Sequence, residues 1–198
     1  MRKLGQSAIC IAVVIGLTQQ ATAGLITFDD FSNAAVNDQI TNGYQGYNWN
    51  NVFIANKNAF PGTGFAAGTI SGNYTGFNGF GQVAEITSPT HFDFVSVSLA
   101  GGFNGGNVTF LGFDGATLLY SQTVAVNIAA PQFVTFNFED INRLSFSSTG
   151  GHFAMDNLTL NAEAVPEPSS AALVGMAMCC AAAGVRHQRR RMQSAGAP

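Results

Sequence analysis

Between residues 24 and 163, short runs of β-branched and aromatic residues alternate with clusters of Gly, Asn and Asp. In the run from Gln132 to Phe138, for example, Val134, Phe136 and Phe138 fall on one face of an extended chain. Such runs predict strands, and the turn residues between them are typical of antiparallel sandwiches and barrels. No helical periodicity is visible in this range. The pattern predicts nine or ten strands in an all-β, jelly-roll-like two-sheet antiparallel sandwich.

The strand boundaries are best defined in the second half of this range. Asp114-Gly115 is a hairpin signal between two apolar runs. The run from His91 to Ala100 changes parity, which predicts a bulge or burial on both faces. Residues 61–81 contain seven glycines and read as a loop-rich stretch. The predicted strands lie at 25–28, 44–54, 83–87, 91–100, 107–113, 117–126, 132–138, 141–147 and 152–160.

The N-terminal residues have the pattern of a secretory signal peptide. Arg2 and Lys3 precede an apolar run from Ala8 to Leu17, and Ala21-Thr22-Ala23 follows as an Ala-x-Ala cleavage site. This predicts a signal peptide over 1–23 and a mature chain that starts near Gly24. The remaining body, 24–163, has the size of one domain.

A second apolar run, from Ala171 to Val185, lies near the C-terminus. With Ser169 and Ser170 it gives a helix over about 169–185, roughly 25 Å long against a hydrocarbon core of about 30 Å. The length alone also fits a buried helix. Pro166 and Pro168 block helix upstream, and an arginine cluster follows, which favours the cytoplasmic side. The flanks therefore predict one membrane span, a body outside the cytoplasm and a cytoplasmic tail at 192–198.

The order of motifs over 164–191 resembles the PEP-CTERM sorting signal. Its sorting motif is Val165, Pro166, Glu167 and Pro168, and its membrane stop is Arg186, Arg189, Arg190 and Arg191. The resemblance implies processing by an exosortase-type transpeptidase after transient anchoring in the inner membrane of a Gram-negative bacterium. It also implies a final place at the cell surface or in the extracellular polysaccharide matrix. The helix is rich in Ala and Cys where Leu and Gly usually dominate, and the alternative is an ordinary single-span tail.

The body also resembles the jelly-roll domains that often precede such signals. The shared segments are Ile26 to Asp30, Tyr44 to Trp49 and Phe153 to Leu158. This resemblance implies the fold rather than an activity. Similar folds in carbohydrate-binding modules often hold a structural calcium ion between their first and last strands.

Charge and cysteine content narrow the classes of function. Residues 24–163 contain ten acidic residues and two cations, Lys57 and Arg143, so the net charge is 2 − 10 = −8. Such a body lacks the basic surface that nucleic acids require, but it can attract divalent cations. Alternatively, the charge serves solubility. All three cysteines lie in the predicted targeting segments, so no disulfide supports the body.

A calcium site is the most specific chemical prediction for the body. Asp29 and Asp30 follow the first predicted strand, and Asp156 lies in the last one. If these strands pair, the three carboxylates can supply the oxygen ligands that Ca²⁺ prefers. The alternative is that Asp156 accepts hydrogen bonds from backbone N–H groups.

Aromatic residues suggest a second kind of site. Tyr44, Tyr47 and Trp49 can stack on sugar rings, although a lone Trp in a β domain is more often part of the core. No motif of a nucleophilic, zinc or phosphate-binding enzyme is present. The sequence therefore predicts a non-enzymatic surface or matrix protein that binds polysaccharide. The alternative is a polysaccharide hydrolase, which would require two carboxyl groups facing each other across a cleft.

Overall fold

The computed structural model describes residues 23–31 and 38–162. The predicted signal peptide lies outside these residues except for Ala23. The sorting segment, including the motif at 165–168 and the arginines at 186 and 189–191, also lies outside them, as does the tail at 192–198. Within the described ranges, no helix is both long and apolar enough to cross a membrane.

Strands dominate the described part of the chain. One short helix, α1, spans Gly64–Gly68, and three 3-10 turns span Tyr44–Gly46, Lys57–Ala59 and Gly79–Gly81. The strands are β1 Ala23–Ile26, β2 Asp38–Gln39, β3 Asn48–Asn50, β4 Val52–Asn56, β5 Tyr74–Asn78, β6 Ala84–Gly101, β7 Gly106–Asp114, β8 Thr117–Val126, β9 Gln132–Ser148 and β10 Phe153–Ala162.

All pairings between these strands are antiparallel. The hydrogen-bonded order is β2-β4-β5-β10-β6-β9-β7-β8, with β1 attached to β10 and β3 attached to β6. The all-β prediction is thus confirmed, and β8 has the predicted bounds. The helical residues of the described part, α1 and three 3-10 turns, span only three to five residues each, which is too short to produce a helical periodicity in the sequence.

Two long strands, β6 and β9, were each predicted as two separate strands. The first half of β6 pairs with β3 and with the second half of β9, and its second half pairs with β10 and the first half of β9. Register shifts separate the two halves at Thr87/Phe92, Phe92/Phe94 and Phe94/Ser96. A bulge bends a strand without ending its ladder, so each strand continues through the predicted break. The expected bulge within 91–100 is confirmed.

The main hydrophobic core contains side chains from strands across the sheet, for example from β4, β6 and β7. Phe28, Ile54, Phe94 and Phe110 are fully buried in it, and each contributes about 1.5–3 kcal/mol by leaving water. A smaller separate cluster contains Ala55, Phe65, Phe77, Ala100 and Ala154. Two members of this second cluster, Phe65 and Phe77, also line a cleft at the surface.

Candidate functional site

A cleft lined almost wholly by phenylalanine opens above the smaller cluster. Its volume is about 260 Å³. We call it the aromatic cleft. It is lined by Phe53, Phe60, Phe65, Phe77, Gly79, Phe80, Phe103 and His152.

The cleft has a buried floor and an exposed rim. Phe65 and Phe77 are buried and meet edge to face, with ring centroids 5.3 Å apart. Phe80 is 78% exposed and Phe103 is 49% exposed. Phe80 packs edge to face on Phe53 and Phe103 packs edge to face on Phe65, so the two exposed rings rest on different rings of the lining. Large apolar side chains at a concave surface mark a site of binding rather than of folding.

The turn that carries Phe80 is held by two asparagine side chains. The amide of Asn51 donates to the carbonyl oxygens of Gly79 and Val83, both at 2.9 Å. The fully buried Asn78 donates to the carbonyl oxygens of Gln82 and Gly151. These bonds satisfy the backbone of a tight turn, and they fix the turn so that the Phe80 ring is presented to solvent.

Glycine allows the part of the cleft around Phe65 and Phe103 to form. A Cβ at position 64 would lie 1.4 Å from the carbonyl oxygen of Gly101, so only glycine lets α1 approach the end of β6. The Gly64 N–H donates to the Gly102 carbonyl oxygen at 2.8 Å, and the Gly102 N–H donates to the His152 carbonyl oxygen at 2.9 Å. This convergence places Phe65, Phe103 and His152 side by side.

His152 supplies a polar atom to the cleft. Its Nδ1 lies 2.9 Å from the backbone oxygen of Asn78. A carbonyl oxygen only accepts, so Nδ1 donates, and in the neutral ring Nε2 is an acceptor. Nε2 has no hydrogen-bond partner among the described residues, and it is not among their buried unpaired atoms, so solvent or a ligand can reach it.

Phe80 has a strained backbone conformation in addition to its exposed ring. Its φ is 55°, in the left-handed region that bulky residues avoid. Such a conformation costs about 1–2 kcal/mol for an L residue, and this ring recovers little by burial. Strain at an exposed aromatic residue is typical of functional sites.

The strain gives a stability test of the Phe80 position. Phe80→Gly should be about 1 kcal/mol more stable than Phe80→Ala, because glycine adopts positive φ without a Cβ clash. Chemical denaturation of the two variants measures the difference. Equal free energies of unfolding would contradict the strained conformation, and Phe133→Ala, at another exposed ring, controls for lost apolar surface.

The aromatic cleft has no charged lining. Among the described residues, no Asp, Glu, Lys or Arg side chain lines it. The two cations of the domain are engaged elsewhere: the Lys57 ammonium donates to the Gly72 carbonyl oxygen, and Arg143 pairs with Glu85 at 3.1 Å. The cleft is therefore uncharged, and no carboxyl pair of a glycosidase faces across it.

The predicted sugar platform of Tyr44, Tyr47 and Trp49 is corrected by the structure. Tyr47 is 6% exposed and Trp49 is 3% exposed, and both belong to the main core. The Trp49 Nε1–H donates to the Tyr44 carbonyl oxygen at 2.9 Å. Tyr44 is partly buried and packs on Phe28 and Phe31. The rings of Tyr44 and Trp49 contact each other, with centroids 5.7 Å apart, and Tyr47 packs edge to face on Phe92. The buried rings of Tyr47 and Trp49 therefore offer no open face to a sugar.

Burial also changes the acidity of these tyrosines. Burial, and secondly the charge of Asp93, raise the pKa of Tyr47 to about 12. Burial and then the hydrogen bond to Asp30 raise the pKa of Tyr44 well above its usual range. The folded protein therefore keeps both phenol protons at pH values where an unfolded chain has released them.

Tyr47 should make the protein lose stability in alkali. Between its ordinary pKa of 10 and its folded pKa of about 12, the unfolded state binds fewer protons than the folded state. The free energy of unfolding should then fall by about 2 kcal/mol over this range because of Tyr47. Denaturant unfolding from pH 9 to 12 measures the slope. Tyr47→Phe should show a shallower slope, and an identical slope would contradict the assignment.

The structure brings two of the three predicted calcium ligands to one loop. Asp156 is fully buried, and its carboxylate accepts from the backbone N–H groups of Ile70, Ser71 and Asn157 at 2.6–2.9 Å. Asp29 accepts from the Asn73 N–H at 3.3 Å. Both aspartates thus hold the loop 69–73 between α1 and β5.

Asp30 contacts a different segment, the 3-10 turn at Tyr44–Gly46. It accepts from the Tyr44 hydroxyl at 2.8 Å and from the Gln45 side-chain amide. No three Asp, Glu, His or Cys side chains of residues 23–31 and 38–162 gather closely enough to hold a metal ion. Because N–H donors already occupy most of the Asp156 lone pairs, the arrangement fits calcium poorly. Calcium binding at Asp29, Asp30 and Asp156 stays a prediction.

The Asp156 carboxyl has an altered acidity. Burial raises its pKa, the three backbone N–H groups lower it, and the nearby charge of Asp29 raises it again, with a net upward shift. The alternative offered by the sequence, a carboxylate that accepts backbone N–H groups, describes the geometry of this residue.

Comparison with known proteins gives no family. No family model and no curated protein matches the sequence. Among solved structures, TmCBM61 in complex with β-1,4-galactotriose matches at 11% identity and a TM-score of 0.33, covering 65% of this chain and 100% of that one.

Two further solved structures show similarly remote likeness. A variant of CBM29-2, a family 29 carbohydrate-binding module, matches at 15% identity and a TM-score of 0.34, covering 73% of this chain and 94% of that one. The CBM22-1–GH10 modules of the Clostridium thermocellum xylanase 10B, complexed with xylohexaose, match at 11% identity and a TM-score of 0.37, covering 77% of this chain and 30% of that one. At these TM-scores the likenesses assign no function to the chain.

Proposed function

We propose that the chain is a non-enzymatic, exported surface or matrix protein with a jelly-roll domain that binds glycans through the aromatic cleft. The observation that carries this proposal is the exposure of Phe80 and Phe103 at the rim of a cleft floored by buried rings. Apolar sugar faces stack on aromatic rings, and a few polar atoms then fix orientation. His152 Nε2 provides one such acceptor.

We further propose that the segment 164–191 sorts the protein. Its Val165-Pro166-Glu167-Pro168 motif, apolar run and arginine cluster support recognition by an exosortase-type enzyme after transient inner-membrane anchoring. A change of Glu167 and Pro168 to alanine should leave the uncleaved chain in the membrane fraction. Immunoblotting of membrane and extracellular fractions measures this, and unchanged release would contradict the sorting role.

Binding by the cleft is tested with the full chain on a glycan array, followed by calorimetry on each hit. Phe80→Ala and Phe103→Ala should each weaken binding at least tenfold, because each removes an exposed ring of the cleft. Phe133→Ala is the matched control, since Phe133 is 69% exposed but does not line the cleft. Absence of any glycan ligand would overturn the proposal.

A further inference from the structure

We infer that the aromatic cleft selects uncharged sugars and rejects those that carry carboxylates. This inference rests on the proposed function, because it names the class of glycan that the same cleft takes. The starting observation is that the residues around the cleft are six phenylalanines, one glycine and His152.

A carboxylate has no favourable partner in this cleft. A sugar acid that enters must leave water, and an unpaired charge placed against apolar rings costs several kcal/mol. Proteins that bind uronates meet this cost with Arg or Lys near the ligand. Here the Lys57 ammonium is bound to the Gly72 carbonyl oxygen, and Arg143 is held by Glu85 and lies over the Phe113 ring at 3.7 Å.

The charge of the whole domain acts in the same direction. Residues 24–163 carry a net charge of −8, so an anionic polymer is repelled before it reaches the cleft. A neutral polymer experiences no such repulsion. Its binding should also be nearly independent of salt, because no ion pair forms.

The groups that line the cleft suit a neutral sugar. The exposed faces of Phe80 and Phe103 suit the C–H face of a pyranose ring. His152 Nδ1 is committed to the Asn78 carbonyl oxygen, which leaves Nε2 to accept a hydroxyl proton. A volume of about 260 Å³ limits the buried part of a polysaccharide to a short segment.

The test compares one polymer in two charge states. The full chain is titrated by affinity electrophoresis and calorimetry with polygalacturonate and with its carboxyl-reduced form, alongside neutral cello-, manno- and galacto-oligosaccharides. We expect at least tenfold tighter binding to the reduced polymer than to the native one, and loss of that binding in Phe80→Ala and Phe103→Ala but not in Phe133→Ala.

A designed cation sharpens the test. Asn104 is exposed and adjoins Phe103, so Asn104→Lys should place an ammonium at the rim. In low salt, this variant should bind polygalacturonate at least fivefold more tightly than the natural chain. Asn104→Gln should bind polygalacturonate with the same affinity as the natural chain.

The outcomes separate this inference from the proposed function. Equal or tighter binding of the carboxylated polymer through Phe80 and Phe103 overturns the selectivity but leaves glycan binding in place. Glycan binding that ignores both phenylalanine variants overturns the cleft as the site. No binding of any neutral or charged glycan overturns the proposed function together with this inference.

Discussion

Replacing Asp156 with alanine should lower the free energy of unfolding by about 3 kcal/mol. The carboxylate is fully buried, and three backbone N–H groups donate to it. Removing it leaves these donors unpaired, at about 1–3 kcal/mol for each one that cannot reach water. Ile70 is 47% exposed, so part of the loop 69–73 can regain water and moderate the loss.

Asp156→Asn is the informative partner of this variant. The amide keeps one acceptor oxygen for the Ile70 and Ser71 N–H groups, but its NH₂ faces the Asn157 N–H. It should therefore lose roughly half as much stability as alanine. Urea unfolding of both variants measures this, and a loss below about 1 kcal/mol for alanine would contradict the proposed role of Asp156.

The same variants address the calcium prediction. If only the protein's own N–H and hydroxyl donors engage Asp156, the melting temperature of the natural chain is the same with and without chelator. A lower melting temperature in EDTA that disappears in Asp156→Ala would instead establish a metal at this loop. The experiment thus separates a carboxylate that holds a loop from one that holds an ion.

Trp49→Ala should cost about 3–5 kcal/mol, the range found for large aromatic residues in protein cores. The indole is 3% exposed, packs edge to face on Phe28 at 6.2 Å and donates its Nε1–H to the Tyr44 carbonyl oxygen. Alanine leaves a cavity and removes one of the two hydrogen bonds that the Tyr44 carbonyl oxygen accepts, the other coming from the Tyr47 backbone N–H. The loss of packing therefore dominates the effect. Thermal and urea unfolding measure the effect.

Trp49→Phe separates stability from binding. Phenylalanine retains most of the ring packing, so the protein stays folded with a loss smaller than that of alanine. Because Trp49 has no open face, glycan affinity should equal that of the natural chain. A variant that melts normally but loses glycan binding would return the site to Tyr44, Tyr47 and Trp49.

The strands that could be predicted from sequence share a clear local signal. β7 and β8 alternate regularly around Asp114-Gly115, and Gly115 has the positive φ of 57° that this turn uses. β6 and β9 were divided because polar and turn residues interrupt their alternation. Those interruptions are bulges, and a bulge is distinguished from a strand end only by the partner strand.

The aromatic cleft could not be predicted because its lining comes from segments far apart in the chain. Phe53 lies in β4, Phe65 in α1 and Phe77 in β5. Phe103 lies in the turn between β6 and β7, and no periodicity connects the four residues. The residues next to Trp49 in the sequence do not show whether its ring is buried. The sequence therefore allows both a core residue and part of a sugar platform at this position.

A local signal for the exposed rings was nevertheless present. Phe80 lies in Gly79-Phe80-Gly81, and Phe103 lies in Gly101-Gly102-Phe103-Asn104-Gly105-Gly106. A large apolar side chain between turn-forming glycines cannot easily reach a core, because turns lie at the surface. Phenylalanine at a glycine-flanked turn therefore indicates an exposed ring and a candidate contact.

The position of β10 has a consequence for the order of folding. This final strand pairs with β1, β5 and β6, and Ala23 meets Asn161 at its far end. A nascent chain that ends before residue 153 lacks the ladder that joins these three partners, so its apolar core stays open. Assembly then depends on contacts distant in sequence, which form slowly. Such a delay keeps the polypeptide unfolded during synthesis. This is a useful property for any chain that passes through a translocation channel before it folds.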